Sequence, residues 1–224
     1  MFLKRSKGLI ILDLDGTLVD SLADIAASLN HTAGELGFLS FSLGNVRSFV
    51  GDGVQVLIER AFPVKETVRK EALALFLVYY KAHLVDRTRL FPGMAPLLAV
   101  LKEEGFRMGV LSNKREKLSR TVVQSFPALR DVLSFVYGGD SFHEKKPSPL
   151  PVREIVKKWG REAEDVVIIG DSPNDIRAGK AAGIHTIGVT YGFVDAELMR
   201  AENPDAVADN SGEIQDAIYG LMQK

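Results

Sequence analysis

The stretch Gly8 to Leu14, G-L-I-I-L-D-L, is apolar on what would be both faces of a strand, and it runs straight into two carboxylates, Asp13 and Asp15. A continuous run of this kind suits a strand covered on both sides, as in a parallel sheet. Gly16 then lets the chain turn. Two acids at the end of a buried strand are costly unless something positive lies between them: a metal ion, a Lys or Arg, or the free end of a helix. FRMGVLSN, SFVYGGD, DVVIIGDS, IHTIGVTYG and DAVADN repeat the pattern, mostly closing on small or polar residues.

Segments with helical spacing separate most of these runs. Met94 to Gly105 carries Leu97, Leu98 and Leu101 in register before a terminating glycine, and Leu150 to Trp159 and Pro173 to Gly183 behave alike. Strand and helix in alternation predict a doubly wound, Rossmann-like α/β core with a mostly parallel sheet. Ligands of such sheets bind beyond the carboxyl ends of the strands. The alternation breaks between about Asp20 and Thr88, where Leu22, Ile25, Ala26, Leu29, Ala33 and Leu36 keep helical spacing, as do Val54 to Ala61 and Val68 to Tyr79. The expected organisation is a catalytic core from residues 1–19 and 89–224, with a small helical cap, 20–88, inserted after the first strand.

Composition removes several classes of function. The formal net charge is −1 with both signs interspersed, which offers no basic surface to nucleic acid or to an anionic membrane. Cysteine is absent, so there is neither disulfide nor thiolate metal site. The opening MFLKRSKGLIILDLDG loosely resembles a secretory leader, but Asp13 cuts its apolar run short and no small-residue cleavage site follows. The expectation is a cytoplasmic protein; its oligomeric state is not legible. His31, His83, His143 and His185 are scattered and receive no role, and Trp159 reads as packing.

Taken singly, each polar residue at a strand end reads as a turn former or helix cap, and a lone lysine as a solvated charge. Their joint placement carries the argument. Asp13 and Asp15, Ser112 and Asn113, a lysine of EKKPSPLP, and Asp171 with Asp175 would all meet on one rim. Pro147, Pro149 and Pro151 stiffen the lysine's loop, which suits aiming Lys146 inward, although Lys145 is an alternative. This set fits phosphoryl transfer through an aspartate. Asp13, already ionised, could attack phosphorus without a base. Mg²⁺ held by Asp13, the main-chain carbonyl of Asp15 and Asp171 would relieve the repulsion, with Asp175 one helical turn behind. Lys146 and Ser112 would hold the phosphoryl oxygens, and Asp15 would carry the proton to and from the reacting oxygens.

Read as motifs, DLDGTLVDS, LSN, Lys146 with KPSPLP, and GDSPNDIRAGKAAG resemble, in this order, the four motifs of the haloacid dehalogenase-like phosphohydrolases. The helical insert resembles that superfamily's small cap. FVGDGVQVLIERAF, HLVDRTRLFPGM and AGIHTIGVTYGF are most similar to the phosphoglycolate phosphatases. The resemblance implies Mg²⁺-dependent hydrolysis of a phosphomonoester through an aspartyl-phosphate, with 2-phosphoglycolate as the expected substrate. In the cap, Gly51, Asp52 and Gly53 with Arg47 are the expected specificity residues, and Asp52 stands where the family pattern more readily has Asn.

Other readings use overlapping residues. A pyrophosphatase, a sugar-phosphate phosphatase or a phosphomutase would keep the same acids. A phosphonatase would add a cap lysine, for which Lys65, Lys70 and Lys81 are candidates. A dehalogenase would not need Asp15, and a receiver-type signalling domain would need neither Asp15 nor the helical insert. A non-catalytic binding protein on the same fold would not need every catalytic position filled, as it is here.

Overall fold

The computed structural model describes residues 7–222. The first six and last two residues of the expected core therefore lie outside the described residues. After β1 (Leu9–Leu12) and the short β2 (Val19–Asp20) come four helices, α1 (Leu22–Glu35), α2 (Leu43–Phe49), α3 (Val54–Ala61) and α4 (Glu66–Ala82). β3 (Arg89–Leu90) leads into α5 (Met94–Glu103), β4 (Arg107–Leu111), α6 (Glu116–Ser125), α7 (Pro127–Arg130) and β5 (Phe135–Tyr137). The chain closes with α8 (Leu150–Lys158), β6 (Val166–Gly170), α9 (Pro173–Ala182), β7 (His185–Val189), α10 (Ala196–Ala201), β8 (Ala206–Ala208) and α11 (Ser211–Met222).

Six strands form one parallel sheet in the order β5-β4-β1-β6-β7-β8. From β1 the chain builds outward through β4 and β5, then returns to the other flank of β1 to lay down β6, β7 and β8. The order reverses beside β1, so a crevice opens at its carboxyl end. The alternating side chains of β1 explain its unbroken apolar run. Ile10 and Leu12 join the core with Leu98, Val122 and Ile218 of α5, α6 and α11, while Leu9 and Ile11 join the opposite layer with Val152 and Ile155 of α8 and Ala178 of α9. Each such Leu, Ile or Val side chain contributes roughly 1.5–3 kcal/mol by leaving water.

The four helices between β2 and β3 leave and rejoin the sheet side by side. β2 and β3 pair antiparallel, Val19 with Leu90 and Asp20 with Arg89. Asp24 in the first turn of α1 reinforces this crossing. Its carboxylate is 2% exposed and accepts the amides of Arg87 and Thr88 and the Thr88 hydroxyl at 2.7–3.0 Å. A buried carboxylate is tolerable when its lone pairs are filled in this way. Helical spacing reveals α1, α3 and α4 but not α2, whose buried residue is Val46 alone. A Ser42–Asn45 capping box holds α2 instead.

Candidate active site

The carboxyl ends of β1, β4 and β6 deliver the polar residues to one place. Asp13 and Asp15 follow β1, Ser112, Asn113 and Lys114 follow β4, and Asp171 and Ser172 follow β6, with Asp175 in the first turn of α9. The turn after β1 is tight: the Leu14 carbonyl accepts the amides of Leu18 and Val19, and Gly16 has φ +88°. A Cβ at Gly16 would lie 2.1 Å from Asp171 Oδ2. Glycine is therefore what lets the β1 turn and the β6 loop touch.

Lys146, and not Lys145, reaches the centre. Its Nζ donates to Asp13 Oδ1 (2.9 Å), Asp175 Oδ1 (2.5 Å) and the Leu111 carbonyl (2.5 Å), which uses all three of its protons. Lys145 turns outward and donates to the Asp52 carbonyl. Burial opposes the charge on Lys146, but Asp13 and Asp175 outweigh it and hold its pKa above the usual lysine value. The acids feel the opposite imbalance. Burial raises the Asp13 carboxyl to about 6 despite Lys146, with help from the negative charges of Asp175 and Asp15. Burial, then Asp13 and Asp175, likewise push Asp171 well up. Asp171 keeps a fixed orientation, accepting the Phe193 amide at 2.7 Å and the Thr17 hydroxyl at 3.4 Å.

Asp13, Asp171 and Asp175 each offer a carboxylate oxygen within 4.8 Å of the others, and all three residues are buried. One ammonium against three carboxylates leaves the cluster short of positive charge. Hard oxygen donors in a dry, acid-rich site fit a divalent cation such as Mg²⁺ or Ca²⁺.

Asp15 faces the same cavity but a different partner. Lys114 donates to both of its oxygens (2.8 and 3.0 Å) and Ser21 Oγ to one (2.5 Å). The Lys114 ammonium also donates to Tyr80 Oη of α4 at 2.6 Å, so it links the β4 loop, the β1 turn and the helical insert. Side-chain exposures of 7% and 12% make Lys114–Asp15 a nearly buried pair. Sequence reasoning passes over Lys114, because a lysine beside LSN reads as a surface charge. Its burial comes from Tyr80, distant in the chain, and no local pattern announces it.

Around these groups lies a cavity of about 80 Å³ whose lining includes Asp13, Asp15, Ser112, Asn113, Lys146 and Asp171. Its other wall comes from the helical insert: Ile25, Val50, Val54, Leu57, Phe76 and Tyr80, with Gly51 and Gly53. Asn113 Nδ2 donates to the carbonyls of Lys146 (2.9 Å) and Gly51 (3.1 Å). Its Oδ1 is buried without a partner.

Of the expected cap residues, Gly51 and Gly53 line the cavity, while Asp52 and Arg47 do not. Arg47 lies exposed on α2. Asp52 points at the core: its carboxylate accepts Asn174 Nδ2 (2.7 Å) and Arg60 (2.5 Å). Against partial burial, Asn174 and Arg60 hold its pKa below the ordinary carboxylate value. The 51–53 loop is thus clasped by Asn113, Lys145 and Asn174. A Cβ at Gly53 would sit 2.9 Å from the Asn113 carbonyl, closer than side chains tolerate.

A doubly wound sheet with an acid-rich centre at its switch point and a helical insert over it defines a class of α/β hydrolases. Residues 10–189 match the family model for haloacid dehalogenase-like hydrolases. The chain belongs to that family. It is 39% identical over 196 residues to a phosphoglycolate phosphatase of Aquifex aeolicus, covering 88% of this chain and 89% of that one. It is 36% identical to a phosphoglycolate phosphatase of Neisseria meningitidis, covering 96% and 95%. A crystal structure described as "a predicted phosphoglycolate phosphatase" from Haemophilus somnus superposes with a TM-score of 0.89 at 32% identity, covering 93% of this chain and 96% of that one. Among the described residues, no helix is long and apolar enough to cross a membrane.

Proposed function

We propose that this chain, a phosphatase of the haloacid dehalogenase-like family, hydrolyses 2-phosphoglycolate to glycolate and phosphate through an aspartyl-phosphate on Asp13. The observation that carries the reading is Lys146: a buried ammonium held between Asp13 and Asp175 lines one cavity together with Asp13, Asp15, Ser112 and Asp171.

In this reading an Asp13 oxygen attacks phosphorus and the bond from phosphorus to the leaving oxygen breaks. Asp15, held toward the cavity by Ser21 and Lys114, gives its proton to that oxygen. Asp15 then takes a proton from the water that attacks the phosphoryl group on Asp13, and phosphate leaves. Ser112, Asn113 and Lys146 hold the equatorial oxygens during both transfers. Mg²⁺ on Asp13, the main-chain carbonyl of Asp15 and Asp171, with Asp175 behind, would supply charge neutralisation between nucleophile and phosphoryl group. Residues 20–88 serve as the cap: its apolar wall excludes water and limits the leaving group to a small one.

Names of the relatives favour 2-phosphoglycolate, and the apolar wall of the insert suits a leaving group with few hydroxyls. The test is initial rates with Mg²⁺ on 2-phosphoglycolate, pyrophosphate, a hexose phosphate and a phosphonate. The expected result is the highest kcat/KM for 2-phosphoglycolate. A tenfold advantage for pyrophosphate or hexose phosphate, about 1.4 kcal/mol of transition-state preference, would overturn the substrate assignment.

A further inference from the structure

Three cationic side chains line the cavity: Lys114, Lys146 and Arg115. Lys146 spends its protons on Asp13, Asp175 and the Leu111 carbonyl, and Lys114 spends its own on Asp15 and Tyr80. Arg115 is different. It is half-buried at the N-cap of α6, and among the described residues its side chain has neither ion pair nor hydrogen bond. Glu116, next to it in the chain, holds Arg120 at 2.7 Å, and Asp140 of the adjoining surface cavity accepts the Glu116 amide at 2.7 Å. Arg115 also lines the adjoining surface cavity, with Val54, Asn113, His143 and Lys145. A guanidinium with this freedom borders the apolar-walled side of the cavity, where it can meet an anionic group of a bound molecule.

We infer that Arg115 is the specificity-determining residue for the leaving group, binding a carboxylate carried within a few atoms of the phosphoryl group. The inference rests on the phosphatase reading of the site and assigns to the β4 loop the role that sequence reasoning gave to Arg47. Apolar residues of the insert, Val50, Val54 and Leu57, face the same space. They would leave the hydroxyls of a sugar without partners, and a buried hydroxyl that has lost water and gained no partner disfavours binding. A short, anionic, hydroxyl-poor leaving group satisfies both walls, because a guanidinium pairs bidentately with a carboxylate.

The experiment compares kcat/KM for 2-phosphoglycolate and for its neutral amide, carbamoylmethyl phosphate, in wild type, Arg115→Gln and Arg115→Lys. Glutamine keeps most of the stem and removes the charge. Wild type should prefer the acid at least tenfold. Arg115→Gln should reduce that preference tenfold or more, mainly through KM, and Arg115→Lys should restore part of it. The ratio between substrates is the readout, so a general loss of activity cannot imitate the result. An unchanged ratio in Arg115→Gln, or no preference in wild type, overturns the inference while leaving the phosphatase reading standing. Failure of wild type to hydrolyse any phosphomonoester overturns both.

Discussion

The two walls of the cavity are built on opposite principles. On the sheet side, Lys146 and three acids meet at the strand ends, all three Lys146 protons are used, and Asp13, Asp171 and Lys146 are each under 10% exposed. On the insert side, Val50, Val54, Leu57 and Phe76 present hydrocarbon, and the 51–53 loop meets the core through a handful of polar clasps. The first wall carries an excess of like charge; the second is mostly hydrocarbon. Such a division suits a site in which the buried charges at the strand ends handle a constant group, while the insert and Arg115 at its border handle a variable one. It also predicts that changes fail differently: changes among the buried charges in turnover and charge balance, changes in the insert or at Arg115 in KM.

The largest effect belongs to Asp13→Asn. Hydrolysis should fall by about 10⁴-fold or more for every substrate, since the proposed nucleophile is gone. The metal-free variant should nonetheless melt no lower than wild type at pH 7.5. Burial pushes the Asp13 carboxyl up from 3.8 to about 6, so its charge costs stability at that pH, and the amide removes the charge. Lys146→Met should come next. It leaves three buried acids without their ammonium, costing about 3–5 kcal/mol of stability and about 10³-fold in rate. Circular-dichroism melts beside phosphate-release assays check both.

A chelator should lower the melting temperature more at pH 7.5 than at pH 5. The sign follows from the raised acids. The folded state binds more protons than the unfolded one between about 4 and 6, so metal-free stability is present below the unfolded pKa and is lost as pH rises through the folded value. Bound cation offsets that loss only where the acids are ionised. An equal drop at both pH values would mean that these acids do not hold the cation. The smallest effect is expected on the other wall. Asp52→Ala removes the contacts to Asn174 and Arg60, which are partly exposed, so stability should change by less than about 1 kcal/mol. KM should rise a few-fold as the clasp loosens, with kcat nearly kept. A large fall in kcat would break the distinction between the walls.

What the sequence discloses follows the same line. The sheet side is legible because β1, β4 and β6 are covered on both faces, so their apolar runs are continuous and the residues that end them stand out. The insert side is less so. α2 contains Gly44 and Asn45 and buries little besides Val46, so its stop and start chemistry, not its periodicity, defines it. β2 and β3 are two residues each, too short for any period to register. The choice between Lys145 and Lys146 depends on which way the loop turns beneath Asn113, and Lys114 is buried only because Tyr80 arrives from another element. From its place beside a glycine turn Arg47 reads as an anion-facing residue, with Asp52 pulling the other way unless it points to solvent. Asp52 instead turns to Asn174, across the gap that the turn itself creates.

The central claim is that the sheet-side wall acts through a covalent phosphoryl group on Asp13. The direct measurement is acid-quenched mass spectrometry of Asp15→Asn protein mixed with Mg²⁺ and 4-nitrophenyl phosphate, whose leaving group needs no proton. One added phosphoryl group should appear on the peptide containing Asp13, matched by a stoichiometric burst of nitrophenolate. A burst with the phosphoryl group on another residue, or sustained turnover with none on Asp13, would contradict the account.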